Sequence, residues 1–309
     1  MQLSRLGLVV HPTRDLDRAL GAVRNWAAEH GTDVVQIDAG KPREGLAPWG
    51  EAADCDLVIA VGGDGTVLAA VRAGADAGRP VLGVSCGSLG ALATVSAANV
   101  SSALDAVEAG DWVARKLPAL IVAPDGAAQQ TAVNDLVVVR DGSGQIAISL
   151  SVDGELYGRF TGDGVVLSTP VGSSAYTLAA GGPILAAGAD AVVVTPLAAH
   201  GGCIPPLVAA AGSTVRVEVE AGHTGARTEL DGRPAVLGAE AFEVTLRPAH
   251  ADLVSLGGEE PQLRGLRRRG ILQDSPRMVA RAAREALAAE RAADEAEEAA
   301  AVGLGTDGF

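Results

Sequence analysis

The sequence predicts a Rossmann-like α/β domain with a mostly parallel sheet, followed by a second domain that is all β and largely antiparallel. Over residues 1–116, apolar strand-like runs alternate with helical stretches, which is typical of a parallel sheet. From about Leu117 onward, short β-rich runs are separated by Gly, Pro and Asp turns, which favours antiparallel pairing.

The first domain, residues 1–116, has its strands predicted at Leu6–Val10, Asp33–Ile37, Leu57–Val61 and Pro80–Val84. Apolar residues recur at helical spacing from Leu16 to Ala27, and Gly31 stands where a helix C-cap is expected. A crossover helix is therefore predicted between the first two strands.

The second domain, residues 117–250, has its strands predicted at Ala119–Val122, Thr131–Val139, Ile146–Val152, Val165–Ser168, Ala191–Thr195, Thr214–Val219 and Phe242–Leu246. The segment 251–274 is expected to return to the first domain and pack on it. Ser275-Pro276 then resembles a helix N-cap with proline at the first helical position. The Ala-, Glu- and Arg-rich tail 275–309 is predicted to be either a solvated helix or disordered, because it has few large apolar residues.

Composition narrows the location and the partners of the chain. No apolar stretch approaches the roughly 18 residues of a membrane span, and the three cysteines lack CxxC spacing, which suits reduced thiols. We therefore expect a cytoplasmic protein with no membrane partner. A net charge of −14 argues against generic binding to nucleic acid, so any phosphate site must be built locally from backbone amides, a few arginines and a metal ion.

A glycine-rich turn, Gly62-Gly63-Asp64-Gly65-Thr66, joins a predicted strand to a predicted helix. Glycines let the backbone turn tightly and approach a phosphate chain, and a helix N-terminus supplies free N–H groups. A carboxylate in such a turn is unusual, because it repels phosphate unless it binds a metal or takes a proton from an attacking hydroxyl. Asp64 is predicted to do this chemistry or, as an equal alternative, only to cap the helix.

A second stretch, Thr161–Tyr176, places Asp163 before a strand and a cluster of small hydroxyl residues after it. Small side chains allow a flat base to approach closely, hydroxyls read its edge, and Tyr176 can pack on a ring or sugar. This predicts a nucleotide pocket, with an ordinary polar turn and a core tyrosine as the alternative. Asn134-Asp135 is a weaker candidate, since such pairs are common in turns.

At these three stretches the sequence resembles the NAD kinase family. Gly62–Thr66 matches the first family motif, and Asn134-Asp135 matches its Asn-Glu pair with a shorter acid. The long central motif is matched by Asp163-Gly164, Thr169–Tyr176 and Ala180–Pro183. The first motif is shared with lipid kinases, so the central motif is the specific one.

The resemblance implies an NAD kinase-like fold and phosphorylation of the 2′-hydroxyl of the adenosine ribose of NAD to give NADP. The donor would be ATP or inorganic polyphosphate. Mg²⁺ or another divalent cation would be bound mainly through the donor phosphates, with no protein metal ligand expected. Family members usually assemble as dimers or tetramers, so a homodimer or homotetramer is expected.

The resemblance also assigns site residues. Asp64 looks like the base that takes the ribose proton, Asn134 and Asp135 would bind ribose or nicotinamide groups, and Asp163 would bind the other end of the dinucleotide. The complete set of implied nucleotide-binding residues is Gly63, Asp64, Gly65, Thr66, Asn134, Asp135, Asp163, Ser173, Ser174, Ala175, Tyr176, Thr177 and Asp231.

The chain departs from the family pattern at two places. His200–Pro206 replaces a His-Ser-x-Ser-x-Arg-Pro stretch, so that Pro205 stands in the position of an arginine, and Ala91 stands where a phenylalanine is common. Two alternatives are kept: a lipid or other small-alcohol kinase that shares the first motif, and a non-catalytic dinucleotide-binding regulator. The central motif argues against the first alternative, and the intact Asp64 argues against the second.

Overall fold

The structure is a computed structural model that describes residues 2–40, 43, 45–87, 89–186, 188–223, 225–258 and 261–303. Residues 1–259 form one compact unit, and residues 260–309 form a second. The predicted fold class is confirmed within the first unit, which has an α/β part with a mostly parallel sheet and a part built from antiparallel strands.

The α/β part comes first in the chain. Its elements are β1 (Arg5–Val10), α1 (Asp17–His30), β2 (Asp33–Gln36), β3 (Leu57–Gly62), α2 (Asp64–Ala77), β4 (Val81–Ser85), β5 (Val95–Ser96) and α3 (Val100–Ala109). The predicted crossover helix is α1, and Gly31 ends it in the left-handed conformation with φ 67°. Helix α3 was not predicted, although its buried residues Val100, Leu104 and Val107 have helical spacing.

The β-rich part follows. Its elements are β6 (Val113–Pro124), β7 (Gln130–Ala132), β8 (Asp135–Arg140), β9 (Ile146–Val152), β10 (Glu155–Gly162), β11 (Gly164–Ser168), α4 (Tyr176–Ala179), β12 (Ala191–Leu197), β13 (Leu207–Ala210), β14 (Val215–Glu220), β15 (Ala226–Leu230), β16 (Arg233–Ala235) and β17 (Ala241–Ser255).

These strands form two sheets. The larger has 11 strands with the main order β10-β9-β14-β17-β4-β3-β1-β2, and the smaller has the order β13-β12-β11-β8-β15-β16. Strand β17 connects the parallel and antiparallel parts of the larger sheet, because it pairs in parallel with β4 at Leu253↔Val81 and antiparallel with β6 and β14. The two sheets pack face to face over a core that includes Phe242, Leu150, Leu167 and Val194.

One predicted strand is divided. The run Thr131–Val139 was expected to be continuous, but β7 ends at Ala132 and β8 begins at Asp135. The prediction of a single strand was wrong because the backbone N–H groups of Val133 and Asn134 donate to the Asp231 carboxylate instead of to a neighbouring strand.

The second unit contains α5 (Gln262–Arg268) and α6 (Pro276–Gly303). Of the two alternatives for the tail, the helix is the one observed, and residues 304–309 of the predicted tail lie outside the described residues. None of the helices in the described part of the chain is both long enough and apolar enough to cross a membrane.

Candidate active site

The main cavity lies at the carboxyl ends of β1 and β3 and has a volume of about 500 Å³. From β1 the chain passes to β2 on one side and then to β3 on the other, so the connections diverge between β1 and β3. Open α/β sheets bind ligands at such switch points, because the diverging loops leave a crevice there. Five predicted site residues line this cavity: Gly63, Asp64, Gly65, Thr66 and Asp231.

The glycine-rich turn delivers Asp64 to this cavity. Gly63 is the N-cap of α2 and has extended dihedrals, whereas Asp64 is the first residue of the helix. No side-chain hydrogen bond caps the helix at Gly63. The alternative that Asp64 caps α2 is therefore not what the structure has, since its carboxylate bonds to a different segment of the chain.

That segment is the turn formed by residues 90–93, which we call the 90–93 loop. Oδ1 of Asp64 accepts the backbone N–H groups of Leu92 at 2.9 Å and Ala93 at 3.1 Å. Oδ2 accepts only the N–H of Ala91, at 3.0 Å. A carboxylate offers about four acceptor positions, two on each oxygen. With respect to the residues that the structure describes, one position on Oδ2 therefore remains open.

Asp231 is the other acid in the described lining of the cavity, and all four acceptor positions of its carboxylate are occupied. Its Oδ1 accepts the backbone N–H groups of Asn134 at 2.6 Å and Asp135 at 3.3 Å. Its Oδ2 accepts the N–H of Val133 at 3.1 Å and Nη1 of Arg72 at 2.7 Å. The side chain is 0% exposed, so these donors replace water entirely. Asp231 thus shapes the site by holding the 133–135 turn.

The hairpin that carries Asp231 explains its position. Asp231 and Gly232 connect β15 to β16 with φ of 51° and 70°, and Leu230 pairs with Arg233. A two-residue hairpin with both φ values positive favours Asp-Gly, because these residues tolerate left-handed dihedrals. The turn fixes the acid where it meets the start of β8.

Three arginines, Arg14, Arg72 and Arg233, add positive charge to the cavity lining. Burial lowers the pKa of Arg233, and the positive charge of the neighbouring Arg72 lowers it further. Arg233 is fixed by a 2.8 Å hydrogen bond from Nη2 to the carbonyl oxygen of Ala39. Together with the N–H groups at the start of α2, this lining suits a polyanion such as a phosphate chain.

The Asn134-Asp135 pair connects the main cavity to the central motif. Asp135 is buried, and the backbone N–H of Tyr176 lies near enough to its carboxyl to favour the charged form. Burial raises the pKa of Asp135 to about 7, and the negative charges of Asp231 and Glu229 add to this effect. Asp135 therefore holds its proton to a much higher pH than an ordinary aspartate does.

A second cavity, also of about 500 Å³, is lined by Asp163 and Tyr176. Asp163 forms an ion pair with Arg140, with Oδ1 2.6 Å from Nε. Tyr176 is 42% exposed, so its ring is available to a flat ligand. The structure therefore brings these two predicted residues together, in a cavity lined by different residues from those around Asp64.

The remaining residues of the central motif divide into two groups. Ala175 is exposed and Ser174 is half-buried, whereas Ser173 and Thr177 are fully buried. The Ser173 hydroxyl donates to the carbonyl oxygen of Pro170, and that of Thr177 donates to Oγ of Ser168. The side chains of Ser173 and Thr177 thus support the turn and line neither of the two cavities described above.

The altered stretch His200–Pro206 is held to the β-rich part by two hydrogen bonds. The N–H of His200 donates to the carbonyl oxygen of Thr161 at 2.8 Å, and the Tyr157 hydroxyl donates to the carbonyl oxygen of Pro205 at 2.6 Å. Pro205 therefore contributes a backbone acceptor to the fold, where the family pattern has an arginine.

A divalent cation would have few side-chain ligands here. Within the described part of the chain, no three His, Cys, Asp or Glu side chains gather as a metal site. Mg²⁺ commonly binds through one or two carboxylates together with substrate phosphates. Asp64 and Asp231 are the acids in the described lining of the main cavity, and so small a set suits a cation that arrives on a phosphate chain and is held mainly by the phosphates.

Sequence reasoning did not select the arginines of the main cavity. Arg14 follows β1 within the segment His11–Arg14, at the same sheet edge as the glycine-rich turn after β3. The rule that parallel strands present their carboxyl ends together could have identified it. The local sequence around Arg72 and Arg233 did not indicate that they line a site. The pairing of β15 with β8 is what brings Asp231 and Arg233 to α2.

Comparisons with known proteins agree with this architecture. The family model for the ATP-NAD kinase N-terminal domain matches residues 7–112, and that for the ATP-NAD kinase C-terminal domain matches residues 133–253. The NAD kinase of Nitratidesulfovibrio vulgaris is 33% identical over 256 residues, covering 80% of this chain and 84% of that protein. The NAD kinase of Acidobacterium capsulatum is 34% identical over 245 residues, covering 76% and 86%.

Two solved structures share the fold. Yeast NADH kinase in complex with NADH superposes with a TM-score of 0.74 at 21% identity, covering 89% of each chain. An NAD kinase from Archaeoglobus fulgidus in complex with ATP has a TM-score of 0.65 at 22% identity, covering 86% of this chain and 97% of that one.

Proposed function

The chain belongs to the NAD kinase family and is a phosphotransferase that phosphorylates NAD; from this premise we propose that Asp64 is its general base. The observation that carries the proposal is the open acceptor position on Oδ2 of Asp64, in a cavity whose other acid, Asp231, is saturated. A base needs an unoccupied lone pair within hydrogen-bond reach of the hydroxyl that it deprotonates.

In the proposed reaction, the 2′-oxygen of the adenosine ribose forms a bond to the terminal phosphorus of the donor. The hydroxyl proton passes to Asp64, and the bond from phosphorus to the leaving oxygen breaks, so that its electron pair leaves with the shortened donor. Such transfers depend mainly on positioning and charge neutralisation, because little covalent assistance is needed. The base contributes typically about 10²–10⁴-fold.

The donor phosphates are assigned to the arginine-lined side of the main cavity. Arg14 and Arg233, with the N–H groups at the start of α2, would hold a phosphate chain, and a bound polyanion would relieve the repulsion between Arg233 and Arg72. Mg²⁺ or another divalent cation, bound mainly to the donor phosphates, would supply further charge neutralisation when present. ATP is the donor that the family implies, and polyphosphate is the second candidate.

The dinucleotide is proposed to extend from the main cavity to the second cavity. The 133–135 turn joins the two, because Asp231 accepts its N–H groups and the Asp135 carboxyl lies close to the backbone N–H of Tyr176. Asn134 and Asp135 would contact the ribose or nicotinamide groups along this path. Tyr176, Ala175 and Ser174 would contact a ring, and Asp163 would bind the far end of the dinucleotide.

The test is Asp64→Asn, which keeps the size of the side chain but removes the base. We expect the kcat for NADP formation to fall by about 10²–10⁴-fold, while NAD binding measured by calorimetry is retained. Asp76→Asn is the matched control, because Asp76 is an exposed acid on the same helix. Unchanged turnover in Asp64→Asn would overturn the assignment of the base.

The same assay bears on the kinase alternatives. Neither the lipid kinase nor the non-catalytic regulator is favoured, given the match to both NAD kinase domains. A matrix of ATP and polyphosphate against NAD and NADH would identify the donor and the acceptor. Formation of NADP with ATP is expected, whereas tight NAD binding without product would support the regulator.

We also propose a cytoplasmic homo-oligomer, a dimer or a tetramer. The three cysteines are free thiols, which is consistent with a reducing compartment. Sedimentation of the purified protein would measure the oligomeric state, and a single species with the mass of one chain would contradict the proposal.

A further inference from the structure

Among the described residues, the 90–93 loop donates the hydrogen bonds that the Asp64 carboxylate accepts. Three consecutive backbone N–H groups, those of Ala91, Leu92 and Ala93, donate to it at 3.0, 2.9 and 3.1 Å. Backbone donors in a closed turn cannot rotate independently as a hydroxyl or an amide side chain can. The orientation of the carboxylate is therefore set by the position of this loop.

The loop approaches Asp64 this closely because residue 90 is glycine. A Cβ atom on Gly90 would lie 2.1 Å from Oδ1 of Asp64 and 2.7 Å from its Cγ. Both distances are far below van der Waals contact, so either the carboxylate or the loop would have to move. Gly90 is not one of the glycines with a positive φ, so its backbone conformation does not require glycine. Its requirement for glycine therefore comes from the proximity of Asp64.

Two further contacts hold the loop in place. The N–H of Gly90 donates to the carbonyl oxygen of Ala93 at 3.1 Å, which closes the turn. Nη1 of Arg115, on β6, donates to the carbonyl oxygen of Ala91 at 3.0 Å. Arg115 thus braces the residue whose N–H bonds to Oδ2 of Asp64.

We propose that Gly90 and Arg115 are positioning residues that act through Asp64. Oδ1 is fully occupied by the loop, so the open position on Oδ2 is the one that receives the hydroxyl proton. Displacing the loop would turn that position away from the acceptor hydroxyl without removing a group that touches NAD. This inference rests on the proposed role of Asp64 as the base.

The test compares Gly90→Ala with Gly87→Ala. A Cβ on Gly87 would meet no atom within 4 Å, and Gly87 precedes the same turn, so it is the matched control. We expect Gly90→Ala to lower kcat by at least about 10-fold, part of the base contribution, with the KM for NAD unchanged. Gly87→Ala should keep the wild-type kcat. Thermal melting verifies that both variants fold.

A double-mutant cycle with Asp64→Asn separates positioning from a general structural effect. If Gly90 acts through Asp64, adding Gly90→Ala to Asp64→Asn should lower the residual rate no further. A rate that falls by the same factor in both backgrounds overturns the inference, as does a Gly90→Ala enzyme with the wild-type kcat. A fully active Asp64→Asn enzyme instead overturns the proposed role of Asp64 as the base. This result comes from the single variant and does not depend on the activity of Gly90→Ala.

Arg115 provides a second measurement that does not require a new Cβ atom beside the acid. Arg115→Ala is expected to lower kcat with little change in the KM for NAD, and Arg115→Lys, which can still donate to Ala91, should recover most of the loss. Equal activity of Arg115→Ala and wild type would remove Arg115 from the proposal. Equal loss in the Ala and Lys variants would assign Arg115 a structural role instead.

Discussion

The buried acid Asp135 gives the most quantitative prediction, because its protonation is coupled to folding. The residue is 6% exposed, and its side chain lies near two other carboxylates, those of Asp231 and Glu229. These surroundings raise its pKa from 3.8 to about 7 in the folded protein. The Asp135→Asn variant replaces the acid with a neutral side chain that resembles its protonated form.

The direction in which stability changes with pH depends on whether the folded or the unfolded state binds the proton of Asp135. Between the unfolded pKa and the folded pKa of Asp135, the folded state retains a proton that the unfolded chain has lost. Stability therefore falls as the pH rises through this range. At about 1.4 kcal/mol for each pH unit, a displacement from 3.8 to about 7 corresponds to an upper limit of about 4 kcal/mol.

The assay is urea unfolding of wild type and Asp135→Asn, without nucleotide, at several pH values. The free energies of unfolding should differ little near pH 4 and diverge towards pH 8, with the variant gaining up to about 4 kcal/mol. A difference that is constant across this range, or that shrinks as the pH rises, would refute the raised pKa.

Asp125 offers a control of opposite sign. A hydrogen bond from Arg216 lowers the pKa of this exposed acid, so its contribution to stability is present above the ordinary pKa and is lost as the pH falls. Asp125→Asn should therefore lose stability at neutral pH and match wild type in acid. Opposite trends in the two variants would exclude a general effect of net charge.

Two further predictions concern the main cavity. Asp231→Ala removes the partner of Arg72 and frees the 133–135 turn, so the free energy of unfolding in urea should fall by about 3–5 kcal/mol. The control is Asp33→Ala, which breaks an exposed ion pair with Arg5 and should cost at most about 1 kcal/mol. Arg233→Ala should raise the KM for ATP by about 10-fold or more and leave the KM for NAD unchanged, as measured by steady-state kinetics. An equal rise in both KM values would refute the proposal that Arg233 binds the donor.

The sequence was sufficient for most elements that have a clear local pattern, although helix α3 was missed despite its helical spacing. The transition from β3 through Gly62–Thr66 into α2 was predicted because a buried strand, a glycine turn and helical spacing are all visible within about 15 residues. The change to antiparallel strands was visible for the same reason. These features depend on neighbours in the chain, and they contain the proposed base.

Features that depend on long-range pairing were not visible. Strand β17 extends the parallel sheet into the antiparallel part, and nothing in its own sequence specifies β4 as a partner. Strand β10, at the edge of the larger sheet, was missed because a bulge between Leu156 and Gly158 interrupts its alternation. The pairing of Asp231 with Arg72 spans 159 positions, so no local pattern records it.

Three Asp-Gly pairs illustrate why a motif alone does not assign a role. Asp231 accepts four hydrogen bonds and is saturated, Asp163 is paired with Arg140, and Asp64 accepts three backbone N–H groups. In sequence all three read as an acid in a tight turn. Because proton transfer requires an open lone pair facing the reacting hydroxyl, the number and position of the donors around each carboxylate decide which acid can act as the base. That criterion excludes Asp231, and the place of Asp64 in the main cavity, away from Asp163, supports its proposed role as the base. On this proposal, the reactivity of Asp64 depends on the 90–93 loop as well as on its own identity.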